Sequence, residues 1–135
     1  MKLVVDSNVL FAAFIRDSTS RKIVSHLEAE FFIISTNYDE LEEHKKELRK
    51  KAKMDALNFE ILIEKIVKKC IFIEDKKLVG NWQEAIGIMD KIDPNDTAFI
   101  AAALATGADI WSDDPHFAKQ KKIKIWKTSD LAKLV

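Results

Sequence analysis

Five apolar runs, each only four or five residues long, punctuate the chain at residues 2–5 (KLVV), 31–35 (FFIIS), 70–73 (CIFI), 109–112 (DIWS) and 123–126 (IKIW). Runs this short and this continuously apolar read as strands. The segments between them carry helical spacing. SNVLFAAF leads into a segment over 20–30 that puts Ile23, Val24 and Leu27 on one face. Two helices are predicted at roughly 37–52 and 55–69. The first is mostly charged, and the second carries Leu57, Ile61, Leu62 and Ile66 at helical intervals. NWQEAIGIM (81–89) is a further helix. Asp93-Pro94-Asn95-Asp96 opens an Ala-rich helix that runs to Ala105 and stops at Thr106-Gly107, as a glycine C-cap would stop it. Ser129 is placed to cap a last short helix, DLAKLV.

Short apolar strands alternating with helices indicate strands buried on both faces. The expected fold is an α/β, three-layer α/β/α sandwich with a central, mostly parallel five-stranded sheet, formed by residues 1–135 as a single domain.

Composition narrows the functional classes. Lys+Arg and Asp+Glu each total 22, so the formal net charge is zero. A tail-type or histone-like nucleic-acid binder carries a global basic excess, and this chain has none. A local basic groove stays open, with HKKELRKKAK (44–53) and KQKKIKIWK (119–127) either lining it or forming solvated faces. The one cysteine, Cys70, cannot close an internal disulfide and reads as a small core residue. The first apolar stretch is broken by Asp6 and Asn8, too short and polar for a signal peptide or a membrane span. A cytoplasmic protein without a membrane partner is expected.

The acids change the picture. In doubly wound sheets ligands bind beyond the carboxyl ends of the strands, where strand order reverses. Asp6 directly follows the first strand, Glu40 lies early in the helix after the second, and Asp114 stands two residues beyond the fourth. Asp96 begins the helix leading into that strand. Each also has a bland reading. Asp6 can N-cap the helix that follows, and Asp93 and Asp96 can be N-cap and N3 around Pro94. Asp113-Asp114-Pro115 can be a turn. Glu40 is one acid among Asp39, Glu42 and Glu43 in a first turn that favours negative charge. His116 reads as a surface or packing histidine, and His26 and His44 lack triad context. If the four acids converge, each pair about 4 Å apart repels by roughly 1–4 kcal/mol, so either some are protonated or a cation neutralises them. All-oxygen ligands without His or Cys suit Mg²⁺ or Mn²⁺ rather than Zn²⁺.

Taken together, VVDSNVL, STNYDEL and DPNDTAFIAAALATGADIWSDDPHF resemble the PIN-domain family over nearly the whole chain. Residues 93–117 carry the most specific part. The resemblance implies an acidic cluster holding one or two Mg²⁺ or Mn²⁺ ions that activate water to hydrolyse RNA. It places the catalytic and metal-binding acids at Asp6, Glu40, Asp96 and Asp114, with Asp93, Ser112 and Asn8 accessory. Many small members look like the toxin half of toxin–antitoxin pairs, so an antitoxin and a homodimer are implied partners beside RNA. The longer charged helix pair at 37–69 resembles a prokaryotic, especially archaeal, subgroup. Asp113 departs from the pattern, standing where a Gly is common.

Two other readings compete. A receiver-type phosphoacceptor domain would use Asp75, Ser112 and Lys127 after strands three, four and five, although its first strand ends in an acidic pair and this one in a single Asp. A non-catalytic RNA- or protein-binding PIN module would have lost its acids, and here four are intact. A haloacid-dehalogenase-type phosphatase needs a second acid two residues after Asp6, where Asn8 stands.

Overall fold

Leu3, Val4 and Val5 of β1 (Lys2–Val5) have no exposed surface, so this strand is covered on both faces. The computed structural model describes residues 1–15 and 18–135. In it β1 is the middle of a five-stranded sheet with β2 (Glu30–Ile33), β3 (Cys70–Phe72), β4 (Asp109–Trp111) and β5 (Ile125–Trp126). All pairings are parallel and the order is β3-β2-β1-β4-β5. Parallel strands require crossovers, and the intervening helices supply them while covering the sheet.

Alternation along the strands sorts the core into two halves. Leu3, Val5, Phe31, Ile33 and Trp111 pack with Val9, Phe14, Ile23, Leu41, Phe59 and Leu131. Those partners come from α1 (Ser7–Phe14), α2 (Thr19–His26), α3 (Ser35–Ala52), α4 (Ala56–Val67) and α7 (Thr128–Ala132). Val4, Phe32 and Ile110 pack on the other face against Ala85 and Met89 of α5 (Trp82–Met89) and Ile100–Ala103 of α6 (Thr97–Thr106). Because α6 is apolar on all sides it is buried along most of its length, and its alanines let it lie close to the sheet. Gly107 ends it at φ 69°, the left-handed conformation that glycine adopts without steric cost.

Several expected elements differ in extent or orientation. On α4 the inward stripe is Phe59, Ile63 and Ile66, whereas Leu57 and Ile61 are 70% and 53% exposed. The edge-on packing of Phe59 against Phe14, centroids 6.3 Å apart, sets the rotation of the helix. Residues 70–73 are not buried on both faces, because β3 is an outer strand and leaves Ile71 and Phe72 nearly half exposed. Cys70 is half-buried there, its thiol pushed up to about 11 by burial, so it stays protonated and unreactive. Residues 123–126 shrink to a two-residue strand, and Lys124 lies over the Trp126 ring at 4.1 Å. The last helix begins at Thr128, with the Asp130 carboxylate, rather than Ser129, accepting from the Lys127 N–H.

The chain steps from β1 outward to β2 and β3, then returns to place β4 on the other side of β1. Strand order therefore reverses between β1 and β4, and their carboxyl ends flank the crevice where such folds bind ligands.

Candidate metal centre

Asp6 leaves β1 at that crevice. Its N–H continues the ladder to the Trp111 carbonyl at 3.0 Å. It occupies the N-cap position of α1, yet its side chain makes no capping hydrogen bond. Instead the carboxylate accepts the Ser112 hydroxyl at 2.7 Å, and the two residues are 6% and 1% exposed. Ser112 Oγ in turn accepts from the Asp114 N–H at 3.0 Å. Asp114 Oδ1 accepts from the His116 N–H at 2.9 Å, the turn geometry expected around Pro115. One serine thus ties the ends of β1 and β4 together and aims both acids.

Glu40 arrives from α3 through a relay. Asn37 is buried at the start of α3, where its Oδ1 accepts from the Ile34 N–H at 2.8 Å. Its amide nitrogen donates to the Val5 carbonyl at 3.0 Å and to Ser7 Oγ at 3.1 Å. Ser7 then donates to Glu40 Oε1 at 2.9 Å. Asp39, Glu42 and Glu43 remain exposed on the outer side of the same helix.

The third contribution comes from the turn before α6. Residues Pro94–Asp96 form one tight turn, and α6 proper begins at Thr97. Asp93 caps that turn, its Oδ1 accepting from the Asn95 N–H at 3.0 Å, while Oδ2 lies 3.4 Å from His116 Nδ1. Asp96 sits at the N-cap of α6 without making a capping bond. Its Oδ2 is buried with no hydrogen-bond partner.

Two of these acids are raised by burial and by the charges of the others. Burial pushes Asp6 up from 3.8 to about 6; the Ser112 hydrogen bond opposes this, while the charges of Asp114 and Glu40 add to it. Burial pushes Asp96 up to about 7, followed by the charges of Asp93, Asp6, Asp114 and Glu40. Four acids predicted at separate points in the chain are therefore close enough to act electrostatically on each other. A compact set of carboxylates with an orphaned buried oxygen fits a hard divalent cation, which would supply the missing partner and offset the repulsion.

Other expectations fall elsewhere. Asn8 is exposed and lines a groove between α1 and α3 with Phe11, His44 and Lys51. Asp113 adds no charge to the crevice by direct contact: its Oδ1 accepts from the Thr128 N–H at 2.8 Å and its Oδ2 from the Thr128 hydroxyl at 2.6 Å. It pins the start of α7 to the exit of β4. Lys122 and Lys124 line a cavity with Ala103, Gly107 and Asp109, at the amino end of β4 and away from the acids. Asp75 accepts the Ser35 hydroxyl at 2.6 Å beyond β3. Three strand spacings of about 4.8 Å separate β3 from β4, too far for Asp75 and Ser112 to share a phosphoryl group. Ser7 and Asn37 were not singled out from the sequence, and His116 read as a surface or packing histidine. The only local signal for His116 was its position two residues after Asp114.

Fold and crevice together define an open parallel α/β protein with an acidic pocket at its switch point. A family model described as PIN domain matches residues 4–134, and the chain belongs to the PIN-domain family. Twelve solved chains match it. Among them is one from the crystal structure of VapBC2 from Rickettsia felis bound to a DNA fragment from their promoter. It is 15% identical, with a TM-score of 0.72, over 94% of this chain and 98% of that one. No curated protein matches the sequence.

Proposed function

We propose that this PIN domain is a metal-dependent endoribonuclease that hydrolyses RNA phosphodiester bonds, and that it serves as the toxin of a toxin–antitoxin pair. The observation that carries the reading is the elevation of buried Asp6 and half-buried Asp96, each by burial first and then by the charges of Asp114 and Glu40, with Asp6 and Asp93 also acting on Asp96. Such crowding is costly in a protein with no use for it, and titratable groups shifted together in one crevice mark functional sites. PIN domains are generally nucleases that use divalent metal, which supports the same conclusion. The antitoxin half of the reading draws on the VapBC likeness. A homodimer is proposed with it, to be checked by light scattering.

Asp6, Glu40, Asp96 and Asp114 would hold Mg²⁺ or Mn²⁺. When bound, the cation acidifies a water for attack on phosphorus and neutralises charge on the leaving oxygen. The chain's own groups prepare that chemistry. Ser112 fixes the Asp6 carboxylate through its hydroxyl and the Asp114 loop through its lone pair. Asn37 and Ser7 hold Glu40 toward the same point, so the acids need little reorganisation during reaction. Trp111 and Phe117, which flank residues 112–116 in the chain, have no exposed surface and belong to the two core halves on either face of the sheet. With purified protein and a single-stranded RNA, cleavage should require Mg²⁺ or Mn²⁺ and be lost in Asp6→Asn and Asp114→Asn. Cleavage persisting in excess EDTA, or in either folded variant, contradicts the proposal.

A further inference from the structure

We infer that His116 is a nitrogen ligand in a second ion position formed with Asp93 and Asp96, and that it tilts the centre toward Mn²⁺ over Mg²⁺. The inference rests on the metal reading above and adds to it a ligand that an all-carboxylate site would not contain.

One ligand atom each from Asp93, Asp96 and His116 lies within 4.8 Å of the others. Ligand atoms around one small divalent ion stand at most about 4.4 Å apart, twice a bond of roughly 2.1–2.2 Å, so small side-chain adjustments close the set. Two atoms of these residues, Asp96 Oδ2 and His116 Nδ1, are themselves shielded from solvent and make no hydrogen bond, although the His116 side chain as a whole is 43% exposed. The imidazole nitrogen does lie 3.4 Å from Asp93 Oδ2 and 3.4 Å from Asp114 Oδ1. Neither contact is a hydrogen bond, and each acid also accepts a backbone N–H. Asp93 holds the Asn95 N–H through Oδ1, and Asp114 holds the backbone N–H of His116 itself through that same Oδ1. Buried polar atoms without partners are rare in folded proteins. Here two occur in one pocket beside a third donor, the arrangement a cation resolves.

The position adjoins the one built around Asp6 and shares Asp96 with it. Asp6, Ser112, Ser7 and Glu40 form a hydrogen-bonded set on the β1 side of the crevice, whereas Asp93, Asp96 and His116 come from the turn before α6 and the loop after β4. Asp114 lies between the sets, bonded to Ser112 through its N–H and near His116 through its carboxylate. The nitrogen donor decides the preference. Mg²⁺ favours oxygen and gives up its waters reluctantly, whereas imidazole suits the transition-metal ions.

Pulsed EPR on the Mn²⁺-loaded full chain tests this directly. The spectrum should show hyperfine coupling to a directly bound nitrogen-14. The coupling should vanish in His116→Gln and persist in His44→Gln. Calorimetric titration should show Mn²⁺ affinity at this position falling at least about tenfold in His116→Gln, the scale on which perturbing a metal's ligand set acts. Mg²⁺ affinity should change less than threefold. Bound Mn²⁺ with no nitrogen coupling in the unmodified protein overturns the inference and leaves the nuclease reading intact; that measurement does not depend on any variant folding. An unchanged Mn²⁺-to-Mg²⁺ preference in His116→Gln overturns it as well. Failure to bind any divalent ion removes this inference and the metal reading beneath it.

Discussion

Replacing Asp6 with Asn should make the metal-free protein more stable, and by an amount that depends on pH. The Asp6 carboxyl has its pKa raised from 3.8 to about 6 by burial and by the neighbouring Asp114 and Glu40. A folded-state pKa above the unfolded value means the folded protein holds the proton more tightly, so stability is lost as pH rises through the folded pKa. The penalty for ionising this one group is about 1 kcal/mol at pH 4.5 and grows to about 3 kcal/mol at pH 8. Asn carries no charge, and its carbonyl oxygen can still accept the Ser112 hydroxyl that Asp6 accepts at 2.7 Å. In EDTA, Asp6→Asn should therefore gain up to about 3 kcal/mol at pH 8, or roughly 6–12 °C in Tm, and about a third of that at pH 4.5. Mn²⁺ at about 1,000 times its Kd should reverse the order, since such an ion adds about 4.1 kcal/mol to the protein that binds it. Thermal and urea denaturation at the two pH values, with EDTA and with Mn²⁺, supply the four comparisons. A variant less stable than the parent in EDTA at pH 8, or equally stabilised at both pH values, refutes the claim that charge crowding defines this crevice.

Removing the Ser112 hydroxyl takes away the hydrogen bond that lowers the Asp6 pKa, so Ser112→Ala should move it above about 6 and shift the loss of stability to higher pH; carboxyl-carbon NMR titration in EDTA reads both. Asn37→Ala strands the buried Ile34 N–H and Val5 carbonyl and frees Ser7 from Asn37, which should cost about 2–4 kcal/mol in urea denaturation. Asp113→Ala should lose about 1 kcal/mol, as removal of a helix cap does, because the N–H and hydroxyl of Thr128 lose their acceptor. In that variant calorimetric Mn²⁺ affinity should stay within about twofold of the parent, since surface charge changes outside the direct contacts are weakly felt.

What the sequence showed follows from the range of the interactions involved. Periodicity and local chemistry are short-range, and they located β1 with Asp6 at its end and the Ala-rich α6 with its Gly107 stop. The parallel three-layer arrangement follows from strand length and apolarity alone. The rotation of α4 was not legible, because Leu57, Ile61 and Phe59 are equally apolar and only the contact with Phe14, far back in the chain, selects one stripe. Ile71 and Phe72 read as buried because an edge strand and an inner strand can share one apolar run. In the crevice, Glu40 was indistinguishable from Glu42 and Glu43 without a family resemblance, since its partner Ser7 is 33 residues away. The adjacent acids Asp113 and Asp114 were told apart only by the family resemblance, and in the structure Thr128 claims Asp113.

That division of labour links two ends of the molecule. A single peptide bond joins a side chain fastened to the final helix to one that faces the acidic crevice. The final helix is itself seated by Leu131, which has no exposed surface. The strand-four exit is thus held from both directions, by Ser112 on one side and by the C-terminal segment on the other. A molecule that grips residues 128–135 would be pulling on the backbone that aims Asp114, without ever entering the pocket.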